Sequence, residues 1–310
     1  MSKSNTITKG EGAADTVTPS GLRIHFESKP RRHYTIEPPT VDGQPQAIVE
    51  AVSVTTALKC LYKGGLDWWG MRVGTAGMVA LFEKGIIAPT QGALGPTLAV
   101  LDDDGVWQFA TQEHLDAALK RERLNVAQVV DKASERGSNV HDALETWAAT
   151  GTVPDPDQFP ETERPYVVGL VAFINDAKVT PTDYEMLVGS YEHGFAGRFD
   201  LQVKNDVERQ VVTKVYPKAK PKHALLPLGI GRLDLKTSSD IFYNNFLQLE
   251  GYEGACVESG YGPSDWRAVL RVTDDGRYEV RLVKGVTFED FLHVVQTYWL
   301  TKRAEQAVKP

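Results

Sequence analysis

A five-residue pattern occurs twice, 34 residues apart: Gly197-Arg198-Phe199-Asp200-Leu201 and Gly231-Arg232-Leu233-Asp234-Leu235. Each copy sets an acid between two large apolar residues. Alternate residues of a strand face opposite ways. Phe199 with Leu201, and Leu233 with Leu235, are therefore expected to face a core, with Asp200 and Asp234 turned away from it. Arg198, Arg232 and Lys236 share the acids' face. Taken alone, Asp234 and Lys236 make an exposed ion pair, which is worth little. If the two strands are neighbours, however, Asp200 and Asp234 come together, and close carboxylates repel unless a proton or a cation lies between them. A hard divalent cation, Mg2+ or Mn2+, suits such oxygen ligands. Arg198 and Arg232 would then hold phosphate or simply balance the acids.

The rest of the chain frames this pair. Residues 1–20 are polar and small and read as a disordered tail. Residues 21–133 read as an N-terminal hairpin followed by a mainly helical region. The hairpin is signalled by apolar runs flanking Asp42-Gly43, and Asp67 is a candidate helix N-cap. Residues 84–110, broken by Gly and Pro, read as loop, and residues 126–150 as one helix or two meeting at Gly137. After Pro181 the apolar period changes to two. Strands are expected at 185–191, 196–204, 209–216 and 226–237, then a helix at 241–258, a hairpin turned by Asp274-Asp275-Gly276, and a last helix at 287–307. This order gives an α/β fold with a mixed sheet over residues 134–310.

At this point the sequence resembles a known family. Asp200 followed by Asp234-Leu235-Lys236 is similar to the D…(D/E)-x-K signature of the PD-(D/E)XK nucleases. Upstream, Arg136-Gly137-Ser138-Asn139-Val140-His141 resembles the R-G-t-x-h-H helix of the RecB-type subfamily. Downstream, Gln248-Leu249-Glu250-Gly251-Tyr252 matches its Q-x-x-x-Y motif. Ser53-Val54-Thr55-Thr56-Ala57-Leu58 followed by Asp67-Trp68-Trp69 is similar to the N-terminal part of phage-encoded members.

The resemblance implies a restriction-endonuclease-like core, with a mixed central β-sheet flanked by helices and an N-terminal mainly helical extension. It implies a metal-dependent DNA nuclease, a phage-type exonuclease acting in recombination or DNA processing. His141, Asp200, Asp234 and the Leu235 carbonyl would hold Mg2+ or Mn2+. Lys236 would face the scissile phosphate, and would deprotonate water if burial lowered its pKa. Gln248 and Tyr252 would bind substrate phosphates or steer Lys236. Glu145, one turn from His141, and Glu185, at the start of the first core strand, would lie behind the metal ligands. DNA is the implied partner, with a phage single-strand annealing or binding protein as a candidate second one. A cytoplasmic location is implied, in the bacterial host if the chain is phage-encoded. The other reading is a nuclease-fold DNA-binding or scaffold protein with a weak or inactive site; the presence of Asp200, Asp234, Lys236 and Gln248 argues against such decay.

The sequence departs from the family pattern in the long separation of its two acids. The excess, about 205–226, reads as an inserted hairpin carrying Lys214, Lys218, Lys220 and Lys222 without an acid after Glu208. It is either a solvated loop or a basic finger tracking a nucleic-acid backbone. Two cysteines, Cys60 and Cys256, are too few for the four-thiolate iron–sulfur cluster of some relatives, so no such cluster is expected. No G-x-x-x-x-G-K-[ST] loop or H-E-x-x-H motif occurs, which argues against an ATP-driven motor or a zinc hydrolase. The N-terminus has no apolar stretch, and no apolar run has membrane-spanning length, so neither a signal peptide nor a membrane partner is expected. The net charge of −7 decides little about DNA, because bases gather at 29–32 and 214–222 and acids at 102–104 and 155–163.

Overall fold

The computed structural model describes residues 13–28, 33–61, 66–92, 95–216 and 219–308. They fall into two units, one formed by residues up to 61 together with those from 139 onward, the other by 62–138. The division expected at 133 is therefore redrawn: the N-terminal hairpin belongs to the same unit as the proposed core.

The first unit opens with an antiparallel meander, β1 (Ala13–Val17), β2 (Arg23–Glu27), β3 (His33–Glu37) and β4 (Val49–Ser53). Strand β1 corrects the expected tail. Thr16 is buried against the meander, and the β-branched Thr16 and Val17 suit an extended chain. Residues 1–12 lie outside the described residues. The Asp42-Gly43 turn is present, both residues having positive φ (51° and 74°), as a tight hairpin turn requires. Ser53 then caps a short helix, α1 (Val54–Ala57), by accepting from the Thr56 N–H.

The second unit carries α2 (Leu66–Glu83), β5 (Ile87–Gly92), β6 (Gly95–Leu101), β7 (Trp107–Phe109) and α3 (Gln112–Arg121). Helix α2 begins before Asp67, so Asp67 is not its cap. The segment expected as loop is a three-stranded antiparallel sheet. Its breakers mark the turns: Asp102 Oδ1 accepts from the Asp104 and Val106 N–H groups, and Gly105 takes φ 75°. Leu81, Ile87, Val100 and Ala118 form this unit's core. The extension is thus mixed, not mainly helical.

Helix α4 (Val126–Thr150) runs unbroken through Gly137. After it come α5 (Arg164–Ala177), β8 (Thr180–Ser190), β9 (Phe195–Asn205), β10 (Arg209–Lys214), β11 (Lys222–Leu226), β12 (Gly229–Lys236), α6 (Tyr243–Glu258), β13 (Trp266–Val272), β14 (Tyr278–Leu282) and α7 (Phe288–Ala307). The expected inserted hairpin is β10–β11, a separate two-stranded sheet. The main sheet has nine strands in the order β1-β2-β3-β4-β9-β12-β13-β14, with β8 on the other edge of β9. It is mixed: β4 with β9 and β12 with β13 are parallel, and the remaining pairs are antiparallel. Helices cover both faces. Leu233, Leu235, Ala268 and Leu270 pack with Val140, Leu144, Leu170 and Phe173 of α4 and α5, whereas Val269 packs with Leu249 of α6. The face expected to be solvent-exposed is therefore buried under α6.

Both glycines of the repeated pattern admit a ring. A Cβ on Gly197 would stand 2.6 Å from the Tyr252 ring, and one on Gly231 would stand 2.1 Å from the Trp266 indole. Only glycine permits such approach without moving its neighbour.

Candidate metal and phosphate site

The site lies where β9 forks. One edge of β9 pairs with β8 along its length. The other pairs with β4 only at Phe195–Ala196 and with β12 only at Leu201–Asn205, so residues 197–200 pair with no strand on that edge. Strand β12 diverges there, and its Leu235 N–H, no longer facing a β9 carbonyl, donates to Asp200 Oδ2 at 2.7 Å.

The strands also turn over at this point. Tyr184 and Leu201, cross-strand partners, pack in the α4–α5 cluster, while Met186 and Phe199, the next paired row on that side, pack in the α6–α7 cluster. Residues two apart in a regular strand share a face. Phe199 and Leu201 do not, which corrects the expectation. The residues between, Glu185 and Asp200, take up the change, and Glu185 does so with φ 49°. A left-handed glutamate in mid-strand is a strained conformation of the kind found at functional sites.

That local irregularity brings side chains together. Among the described residues, His141, Glu185 and Asp200 form one cluster whose ligand atoms all lie within 4.8 Å of one another. His141 Nδ1 is 3.5 Å from Asp200 Oδ1. Helix α4 presents His141 over the sheet. Glu185, expected at the strand's start and behind the ligands, is instead mid-strand and a member of the cluster. Arg198 Nε is 2.6 Å from Glu185 Oε2, so Arg198 balances an acid. Glu145 is half-buried and not part of this cluster.

Asp234 is next to the cluster, not in it. The residue is 1% exposed, and neither carboxylate oxygen accepts a well-directed hydrogen bond, although the Lys236 ammonium lies 2.5 Å from Oδ2. Burial pushes its pKa up to about 6; Lys236 opposes that rise and the Asp200 charge adds to it. Burial alone would lower Lys236, but Asp234 and Asp200 outweigh it and hold the ammonium above its ordinary value. Lys236 is thus kept protonated, and the condition for its acting as a base is not met. The Asp234–Lys236 pair is not exposed as the sequence suggested, because α6 covers it.

The donor set fits a hard divalent cation. Glu185, Asp200 and Asp234 carry three negative charges against the two positive charges of Lys236 and Arg198, and a surplus of buried carboxylate charge is what such a cation satisfies. Leu235 gives the site its N–H. The Asp234 shift has a testable consequence for the metal-free protein. Because the native state holds this proton more tightly than the unfolded chain, the group's contribution to stability falls as pH rises from about 4 to about 6. With chelator present, the melting temperature of Asp234→Asn relative to wild type is expected to climb between pH 4 and pH 7. A difference independent of pH would show that Asp234 carries no such penalty.

Gln248 and Tyr252 share a face of α6, as their spacing predicts, and Gln248 Nε2 donates to Tyr252 Oη at 3.1 Å. Both are buried, which leaves them the positioning part of the expectation. Burial and the nearby Asp234 and Asp200 charges hold the Tyr252 phenol well above its ordinary pKa, so it keeps its proton.

Of the two parts expected of Arg232, holding phosphate or balancing an acid, its surroundings favour the second. Its guanidinium is almost wholly buried. It pairs with Glu253, donates to Gln202 Oε1 at 3.2 Å and Gly262 O at 2.8 Å, and lies 5.9 Å from the Phe199 ring centre. Arg267, beside it on β13, pairs with Glu250 at 2.7 Å. The two acids of α6 thus clamp the helix onto the sheet. Sequence reasoning missed them; their three-residue spacing on the helix that bears Gln248 was the only signal.

In the insertion, Lys220 and Lys222 are exposed, Lys214 is half-buried, and Lys218 lies outside the described residues, as does the basic run 29–32. The turn end of the hairpin is tied to β14 and the residue before it: the Val215 N–H donates to Glu279 and Arg277 donates to Tyr216 O. No protein-family model and no curated protein matches this chain. Among the described residues, no helix is long and apolar enough to cross a membrane.

Proposed function

We propose that this chain is a Mg2+- or Mn2+-dependent deoxyribonuclease with a restriction-endonuclease-like core, of the PD-(D/E)XK type and closest in character to phage exonucleases of DNA processing. The observation that carries this reading is the convergence of His141, Glu185 and Asp200 at the strand fork beside the buried, unsatisfied Asp234 and its Lys236. His141, Glu185, Asp200 and Asp234 are the residues that would hold the cation. When bound, the cation lowers the pKa of water so that hydroxide is available near neutral pH. Lys236, held protonated, supplies positive charge where the phosphoryl oxygens become more negative. Gln248 and Tyr252 hold one another on the covering helix and so fix the roof over Lys236. Arg198 keeps Glu185 oriented toward the cluster.

The deciding experiment incubates purified protein with linear or circular DNA, labelled at either end, with Mg2+, Mn2+ or chelator. Metal-dependent degradation of linear DNA supports the reading, and no cleavage with either metal would sink it. The basic hairpin makes a second claim. Neutralising Lys214, Lys218, Lys220 and Lys222 is expected to weaken DNA binding and to flatten the slope of log affinity against log salt by about 0.9 for each lysine that engages a phosphate. An unchanged slope would make the hairpin a solvated loop.

A further inference from the structure

The strand that carries Asp234 and Lys236 leaves the sheet through residues 237–242 and enters α6. This connection is held from several sides. Arg271 donates to Ser239 O at 2.9 Å, Arg281 lies 3.4 Å from Asp240 Oδ1, and Ser238 Oγ donates to Asp240 O. Ile241 is buried with Leu249 and Val269. The next two residues, Phe242 and Tyr243, then stand 50% and 54% exposed.

Phe242 occupies the N-cap of α6, where it breaks a local rule. Serine, threonine, aspartate and asparagine serve there because a side-chain oxygen accepts a free N–H of the first turn. Phenylalanine has no such oxygen. The turn is secured the other way round, the Phe242 N–H donating to Asn245 Oδ1 at 2.8 Å. Helix stability therefore does not account for an aromatic at this position, and neither does burial, since the residue is half exposed. Breaks of this kind concentrate at functional positions.

We propose that Phe242 and Tyr243 form a base-stacking platform that receives unpaired bases of single-stranded DNA beside the strand end carrying Lys236. This rests on the nuclease reading above and adds a substrate preference to it. Stacking needs a free base face, which a paired duplex offers only at its ends, and it tolerates any sequence because every base has such a face. The pinned connection makes the platform rigid, so little order is lost when a base settles on it. The platform follows the Lys236 strand directly along the chain, at the end of the connection that leads from Lys236 into α6.

The test uses the full chain with Phe242→Ser and Tyr243→Ser combined, in chelator so that no DNA is cut. Binding to a 2-aminopurine-labelled single-stranded oligonucleotide and to a hairpin-ended duplex is measured alongside the melting temperature. The expected result is a loss of about tenfold or more in single-strand affinity, with duplex affinity within about twofold. The melting temperature should be unchanged or raised, because serine is the better cap; a merely structural role for Phe242 would lower it. The aromatic swap Phe242→Tyr with Tyr243→Phe should restore single-strand binding. If wild type binds DNA and the serine variant binds single strands equally well, the platform is overturned and the nuclease reading stands. If wild type binds neither substrate, the platform is overturned, while the nuclease reading stands or falls on the cleavage assay with Mg2+ or Mn2+.

Discussion

Asp234→Asn and Lys236→Ala are each expected to reduce metal-dependent DNA cleavage by about 10²–10³-fold or more, with circular dichroism showing the fold intact. The two losses should have different origins, and a second measurement separates them. Asp234 is buried beside the cluster, with only the Lys236 ammonium against its oxygens. Removing its charge should abolish the rise in melting temperature that Mg2+ or Mn2+ gives the wild type, since only binding to the native state stabilises it. Lys236 is positively charged and cannot be a ligand. Lys236→Ala should therefore keep the metal-induced rise, or enlarge it, while losing cleavage. Cleavage at wild-type rate by either variant would remove these residues from the site.

Arg232→Met is expected to cost stability, not DNA binding. The guanidinium is almost wholly buried, and its loss leaves Glu253 inside the protein with Ser264 and, at 3.6 Å, Arg267 as its remaining partners. Breaking one side of a buried ion pair costs about 3–5 kcal/mol, and the surviving partners favour the lower end. Chemical denaturation should read this as a lower midpoint at unchanged slope. Arg232→Met combined with Glu253→Gln should recover a large part of it, because the unpaired charge is then gone. The salt dependence of DNA binding should not change. A loss below about 1 kcal/mol, the range of an exposed pair, would mean that the pair is not buried in solution.

These two variants show why the repeated pattern was only partly legible. Its two copies look alike in sequence, yet Arg198 lies at the rim of the cluster against Glu185 while Arg232 is sealed beneath α6. Alternation along a strand assigns a face; it does not say whether a helix will cover that face. The hairpins at Asp42-Gly43 and Gly276, the β10–β11 insertion and the Gln248–Tyr252 face were readable because each depends on residues close in sequence. The strand β1 and the sheet at 87–109 were not, because their weak apolar patterns are completed by partners elsewhere in the chain.

The residue types of the site were set out in the sequence: two acids in matching strands, a lysine two residues beyond one of them, a histidine on a helix, and a Gln and Tyr one turn apart. Tertiary structure decided which of them meet. Where β9 has to serve β4 at one end and β12 at the other, its middle is left without a neighbour on that edge, and Glu185 turns left-handed to carry β8 through the same point. That fork gathers His141, Glu185 and Asp200, sets Asp234 beside them, and lets α6 bury Asp234. Local pattern cannot encode such a break in pairing, because it arises from competition between distant strands for a single edge.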